Sequence, residues 1–361
     1  MQSIINVVVF LLILGSIIII HELGHFLAAK FFGVYCAQFS IGFGPKIWSK
    51  KGKETEYVVS ALPFGGFVAM AGEEDQMDNE ELADIPVERT LKGKKTYQKV
   101  IIFLAGVFMN FVLAVVVTLG VNVFAGQIPV NVAQIGTILE HSPADEYGLK
   151  TGDIIQQVDI VETGQTLLIS NYEDINFTQD HLKTTADSLT MKMTVERQDK
   201  KETITLKVPF SQEDGKYKLG ITQATRAMSL TEAFQYTFIS LGEMSVAIFA
   251  ALGQLITHFS KTVTQLSGPA GIFQVTAQVT ETGQIAYVLN LLAMLSINVG
   301  IFNLLPIPGL DGCQVIFALI EKLIGRDLPQ KLKLALQMVG LGLVMLLMVF
   351  VTYQDITRIF G

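Results

Sequence analysis

The chain has 361 residues, of which 50% are hydrophobic and only 16% are charged. Soluble globular domains carry about 25% charged residues, so this composition argues against a soluble protein and indicates a membrane protein. The formal net charge of -7 provides no basic surface, so we expect no nucleic acid partner.

Three apolar runs are long enough to cross a bilayer as helices, and a fourth is nearly as long. In chain order they are residues 4–20, 100–125, 285–305 and 334–353. The first run lacks a positively charged start and a small-residue cleavage site, so we interpret it as a retained span rather than a signal peptide. The sequence therefore predicts an α-helical polytopic membrane protein with four transmembrane helices.

Residues 39–67 follow the first span and have the composition of strands. Two strand-like segments, 46–48 and 56–59, flank the turn-forming sequence Lys-Lys-Gly-Lys. We therefore expect a membrane-associated β-hairpin over residues 39–67, inside a first transmembrane part that comprises residues 1–126. A plain cytoplasmic turn is the alternative.

Residues 127–223 change character to that of a soluble, β-rich domain, with runs that alternate in the period-two manner. Within it, Ile135-Gly-Thr-Ile-Leu-Glu-His-Ser-Pro-Ala144 and Tyr147-Gly-Leu-Lys-Thr-Gly-Asp-Ile-Ile155 resemble the bacterial PDZ domain. The resemblance implies one inserted PDZ-like domain whose groove takes extended extracytoplasmic peptides by strand addition. Any other small β-rich domain is the alternative.

A metal-binding motif, His21-Glu-Leu-Gly-His25, stands where the first apolar run ends. Residues four apart lie on one face of a helix, so the two imidazoles can face one metal ion, with Glu22 beside them to take a proton from water. Such residues are costly beside an apolar helix unless they are paired or bind a metal. The alternative is that they lie unused at the headgroup boundary.

A catalytic zinc ion needs a third protein ligand and an open position for water. His141 and His181 fall in the predicted soluble domain. His258 lies in a segment of ambiguous character, so Asp311 is the better candidate. It belongs to residues 303–312, where two prolines and a glycine interrupt the helix, and such backbone is tolerated at membrane depth only around a cavity or within protein.

Five motifs occur in the order found in the site-2 proteases, a family of intramembrane zinc metalloproteases. They are His21-Glu-Leu-Gly-His25, Gly42-Phe-Gly44, the PDZ-like sequence, Ser267-Gly-Pro-Ala-Gly271, and Asn303 to Gly312. The resemblance covers essentially the whole chain and is closest to the bacterial regulator of sigma-E protease group, in the single-PDZ form of Gram-positive members.

This resemblance implies zinc as the cofactor, with His21, His25 and Asp311 as its ligands. It further implies Glu22 as the general base and Asn303 as a residue that holds the substrate backbone.

One residue departs from the family pattern, which usually continues Leu-Asp-Gly-Gly. Here Gly312 is followed by Cys313. A thiolate at this position would close the site to water, so we interpret Cys313 as a small residue in place of glycine. A role as a zinc ligand is the alternative.

The positions of the motifs also predict a topology. His25 and Asp311 both lie at the C-terminal ends of apolar segments, so their helices must run in the same direction to meet at one metal. Only residues 100–125 then cross between them, and residues 230–258 lie at the interface or pack against the core. Lysines near the short loops place these loops in the cytoplasm. The PDZ-like domain and both termini are then outside a bacterial inner or plasma membrane.

The predicted organisation has a first transmembrane part, a PDZ-like domain, an interfacial linker and a second transmembrane part, with bounds 1–126, 127–223, 224–284 and 285–361. The resemblance implies regulated hydrolysis within the transmembrane segments of membrane-anchored regulators such as anti-sigma factors, or of signal-peptide remnants. The partners are then transmembrane proteins or peptides in the lipid bilayer. Two alternatives stay open: a membrane metal transporter and a non-catalytic PDZ-bearing membrane scaffold.

Overall fold

The computed structural model describes residues 2–73, 85–258, 263 and 267–360. The chain forms two compact units. One, here called the membrane unit, comprises Met1–Phe124 and Glu232–Gly361, and the other, the β unit, comprises Ala125–Thr231. Part of the predicted linker, residues 259–262 and 264–266, lies outside the described residues.

Seven helices longer than ten residues occur in the described part of the chain, and we number them α1 to α7. They are α1 (Gln2–Phe31), α2 (Thr96–Ala125), α3 (Leu230–Thr257), α4 (Pro269–Glu281), α5 (Ile285–Asn303), α6 (Asp311–Ile324) and α7 (Gln330–Phe360). A helix of 30 residues, such as α1, is about 45 Å long and exceeds the roughly 30 Å of a hydrocarbon core.

Five of these helices, α1, α2, α3, α5 and α7, are long and apolar enough to cross a membrane. This confirms a multi-pass α-helical membrane protein but does not confirm the count of four spans. The additional candidate is α3. It packs against α2 and α5 through Leu241 and Met244, with Ala114 and Ala293 on the facing helices. Its packing accords with a position against the core, and the number of crossings stays a prediction.

The centre of the membrane unit is formed by α1, α2 and α5. Ile13 and Ile17 of α1 pack against Leu291 and Leu295 of α5. Large apolar side chains on the outer faces are exposed, among them Leu12, Phe108 and Leu346. Extended apolar surface of this kind indicates contact with an apolar phase, which here is the lipid.

Two long strands, β1 (Cys36–Lys51) and β2 (Glu56–Met70), form a curled sheet beside α1. The end of β1 pairs antiparallel with the start of β2 across the turn between them. Residues 38–41 have partners on both sides, 56–59 on one and 66–69 on the other. The predicted single hairpin is therefore too simple. Residues 38–41 form a central segment of the sheet, and residues 66–69 form one of its edges.

The described strands of the β unit are β3 (Gln127–Pro129), β4 (Ile135–Ile138), β5 (Ile154–Ile160), β6 (Gln165–Leu168), β7 (Ser188–Arg197), β8 (Lys200–Ser211), β9 (Lys216–Tyr217), β10 (Ile221–Gln223) and β11 (Thr225–Ala227). They form a five-stranded antiparallel sheet in the order β6-β5-β7-β8-β9 and two shorter pairs, β4 with β10 and β3 with β11. Alternate residues of β7, Met191, Met193 and Val195, are fully buried, as the period-two pattern predicts.

The Ser267-to-Gly271 motif forms the start of α4, and a buried carboxylate of α7 holds it. Asp355 is 1% exposed, and its Oδ2 accepts the backbone N–H groups of Gly268 at 2.9 Å and Gly271 at 2.8 Å. The first N–H groups of a helix have no partner within the helix and carry partial positive charge, so a carboxylate there is favourable. This contact joins α4 to α7.

Replacement of Asp355 by leucine should destabilise the membrane unit, because two buried N–H groups lose their acceptor. We expect the unfolding temperature in detergent to fall by roughly 5–10 °C. A thiol-reactive dye can measure it, since Cys36 and Cys313 are both buried. Thr352→Val, which removes only a hydrogen bond within α7, is the matched control. An unchanged midpoint in Asp355→Leu would show that the contact contributes little.

Candidate active site

The two histidines of the motif lie on one buried face of α1. His21 and His25 are 9% and 6% exposed. Because α1 stays helical to Phe31, the four-residue spacing stacks their rings edge to face, with centroids 4.8 Å apart. Their Nε2 atoms lie 3.2 Å from each other. Both rings therefore present the same nitrogen to the same place.

Asp311 joins the histidines from the first residue of α6. Its Oδ2 lies 3.1 Å from the Nε2 of His21 and 3.3 Å from the Nε2 of His25. The segment between α5 and α6 contains Pro306 and Pro308, which cannot continue a regular helix. The helix therefore stops after Asn303 and restarts at Asp311, which places the carboxylate at the level of the two rings.

The three atoms fit a zinc ion. They form a nearly equilateral triangle with edges of 3.1, 3.2 and 3.3 Å. Ligands of a tetrahedral zinc ion at about 2.0–2.1 Å lie about 3.3–3.4 Å from one another. Two imidazole nitrogens and one carboxylate oxygen are a donor set that zinc accepts, and three protein ligands leave a fourth position for water.

Two other residues singled out in the sequence do not join this group. Cys313 is buried with a free thiol, and among the described residues the metal-capable group consists of His21, His25 and Asp311. Asn303 does not line the cavity at the site, as far as the described residues define it. Its Nδ2 donates to the carbonyl of Val299 at 3.0 Å, which uses one of the two N–H groups of this amide.

Helix α2 completes the site, a contribution that the sequence motifs do not indicate. A Cβ atom on Gly106 would lie 2.3 Å from the Nε2 of His25, and one on Gly24 would lie 2.3 Å from the carbonyl oxygen of Ala105. These glycines therefore permit a very close crossing of α1 and α2. At this crossing the Nδ1 of His25 meets the carbonyl oxygen of Ile102 at 2.8 Å. The sequence feature that could have indicated this contribution is the pair Gly106 and Asn110, which lie four residues apart in an apolar span.

The three metal-capable residues and Glu22 line one open cavity of about 550 Å³. Residues of β2, α6 and α7 also line this cavity, including Val68, Gln314 and Gln337. Glu22 is half-buried, and its Cγ lies 3.0 Å from the position of a Cβ on Gly66. The edge of the sheet therefore runs directly beside the candidate base.

A carboxylate next to a triad of zinc donors, in a cavity within apolar helices, defines a metal-dependent hydrolase of the membrane. Residues 9–347 match the model of Peptidase family M50, and the chain belongs to this family. It is therefore a zinc metalloendopeptidase that acts within the membrane, which confirms the resemblance to site-2 proteases and the predicted cofactor. Neither the transporter nor the scaffold alternative is supported.

Named relatives agree with this assignment. A Clostridium perfringens protein whose name places it among the zinc metalloproteases is 34% identical over 96% of this chain and 97% of its own length. The regulator of sigma-W protease RasP of Bacillus subtilis is 30% identical over 98% of this chain and 99% of its own. The zinc metalloprotease RasP of Bacillus licheniformis is also 30% identical, with the same coverage.

Replacement of Gly106 by alanine should abolish zinc binding, because the new methyl group overlaps the Nε2 of His25. The zinc content of the purified protein, measured by atomic absorption, should fall to a small fraction of one ion per chain. Gly120→Ala on the same helix is the matched control, since nothing lies within 4 Å of its Cβ position. Equal zinc content in the two variants would contradict the close approach of α2.

Proposed function

We propose that this protease cleaves transmembrane segments of membrane-anchored regulators such as anti-sigma factors, or signal-peptide remnants. One observation carries the proposal: three zinc-donor atoms lie within 3.3 Å of one another at the end of an apolar helix, in one cavity with Glu22. A relative named for the regulation of sigma-W supports the regulator class of substrate.

In this proposal His21, His25 and Asp311 hold the zinc ion. When bound, zinc supplies Lewis-acid chemistry, lowering the pKa of water toward neutrality and polarising a carbonyl group. Glu22 takes the proton from the attacking water and returns it to the leaving amine. The carbonyl of Ile102 orients the ring of His25 by accepting from its Nδ1.

A substrate helix must be unwound before cleavage, because its carbonyls are hydrogen-bonded within the helix. Residues 66–69 offer an edge for an extended segment, since the described strands pair with them on one side only. The Met70 amide donates to the Glu73 carboxylate, while the Ala71 amide donates to the Tyr35 carbonyl. Amides alternate in direction along a strand, so the Val68 amide points the same way as that of Met70, toward the free edge.

Replacement of Val68 by proline should lower cleavage of a transmembrane peptide by roughly five- to tenfold, because one hydrogen bond to the substrate is lost. Proline is tolerated at the outward-facing positions of edge strands. The variant should therefore keep its zinc. Val68→Ala retains the amide and serves as the control. A loss as large in Val68→Ala would assign the effect to the side chain instead of the amide.

The remaining elements are assigned as follows. The β unit acts as a PDZ-like domain outside the membrane, where it admits substrates that have already been trimmed. The short basic loops and the zinc site lie toward the cytoplasm, and both termini lie outside. Asn303 contacts the backbone of the substrate through its side-chain amide. The Ser-Pro-Ala and Gly-Asp-Ile sequences of the β unit and the placement of the lysines support these assignments.

Replacement of Glu22 by glutamine tests the catalytic assignment. Purified protein in detergent should lose cleavage of a transmembrane peptide by roughly 10²- to 10⁴-fold, the usual contribution of a general base. Zinc should remain bound, because the ligands are intact. Glu243→Gln, an exposed position on α3, is the matched control.

Two outcomes would overturn this reading. Unchanged cleavage in Glu22→Gln would remove Glu22 as the base. Zinc flux into proteoliposomes by wild-type protein without any peptide cleavage would instead support a transporter.

A further inference from the structure

One fully buried polar side chain in α2 is not used by the mechanism above. Asn110 is 0% exposed, and its Nδ2 lies 3.2 Å from the Nδ1 of His21. Its Oδ1 is also buried and has no hydrogen-bond partner in the described part of the chain. A buried acceptor without a partner costs about 1–3 kcal/mol, so it indicates a missing contact.

The chemistry of the two histidines identifies this contact. A metal ligand nitrogen must be deprotonated, so a neutral histidine that binds zinc through Nε2 carries its proton on Nδ1. His25 meets that requirement, because its Nδ1 faces the carbonyl of Ile102. The Nδ1 of His21 faces the Asn110 amide group, which has one donor end and one acceptor end.

We propose that Asn110 is a positioning residue for His21. A half-turn of its amide exchanges Oδ1 and Nδ2 at nearly the same positions. Oδ1 then accepts the Nδ1–H of His21, which fixes the ring and its tautomer with Nε2 free for zinc. The same turn gives the oxygen a partner and moves Nδ2 to the position that the oxygen held. Such hydrogen bonds orient ligand rings and increase their basicity.

The surroundings hold Asn110 at this position. Its backbone carbonyl accepts the hydroxyl of Ser296 in α5 at 2.9 Å, and Ser296 is itself fully buried. Gly106, one turn earlier, admits the two rings against α2. The amide of Asn110 is therefore confined beside His21 by α1, α2 and α5 together.

The experiment measures the zinc dissociation constant of the full-length protein in detergent, by competition with a chromophoric chelator. Asn110→Leu has nearly the same size but no acceptor, and should bind zinc about 10- to 100-fold more weakly. Asn110→Asp retains an acceptor oxygen and should bind within about threefold of wild type, or more tightly. Gly120→Ala, on the same helix with nothing within 4 Å of its Cβ position, is the matched control and should match wild type.

The zinc affinities of these variants together distinguish a role of Asn110 in positioning the His21 ring from a role in packing alone. Wild-type affinity in Asn110→Leu overturns the proposal, and so does equal weakening in Asn110→Leu and Asn110→Asp. If Asn110→Leu does not fold, as judged by the thiol-reactive dye, Asn110→Asp decides alone: binding more than tenfold weaker than wild type overturns the proposal.

The inference rests on the proposed zinc ligation by His21, and the two can fail separately. Unchanged affinity in His21→Ala would remove the ligation itself. Weakened binding in His21→Ala with wild-type affinity in Asn110→Leu would remove only the role of Asn110.

Discussion

Two imidazoles and one carboxylate meet within 3.3 Å of one another inside a helical unit whose outer surface is apolar. Polar groups at membrane depth are costly unless they pair or bind a metal. Here the same contact both compensates their burial and creates the site. The break between α5 and α6 serves this contact, because it lets Asp311 reach the two rings of α1 from another helix.

The site also requires the close crossing of α1 and α2, which places groups of α2 against the two histidine rings. Gly24 and Gly106 contribute no side chains to the crossing, so backbone and amide groups of α2 reach the outer edges of both rings. Small residues commonly allow such approach between membrane helices. In this protein the approach has a chemical consequence, because the partners of the two Nδ1 atoms both come from α2.

The sheet formed by β1 and β2 brings main-chain groups into the same region. Its edge at residues 66–69 lines the cavity with Glu22, whereas a transmembrane substrate arrives as a helix with no free backbone groups. Gln314 and Gln337 add polar groups to the cavity wall. The cavity thus brings three metal-capable side chains, Glu22 and a strand edge together within an apolar unit, a combination that each element alone does not provide.

Much of the protein follows from local sequence patterns. The apolar runs determine the membrane helices, because about 20 such residues cannot remain in water. The spacing of His21 and His25 determines a two-nitrogen metal face, because helical periodicity is local. The helix breakers before Asp311 singled out the third donor, and the alternating residues around Met193 indicated strands. In the same way, the motifs identified the family.

Only the tertiary structure decided how these parts meet. The double pairing of residues 38–41, the contact of Asp355 with α4 and the position of Asn110 beside His21 join segments far apart in the chain. No periodicity encodes such contacts, because they depend on how helices cross and pack. The same is true of α3: its composition suits both a span and a packed helix, and its neighbours α2 and α5 are known only from the fold.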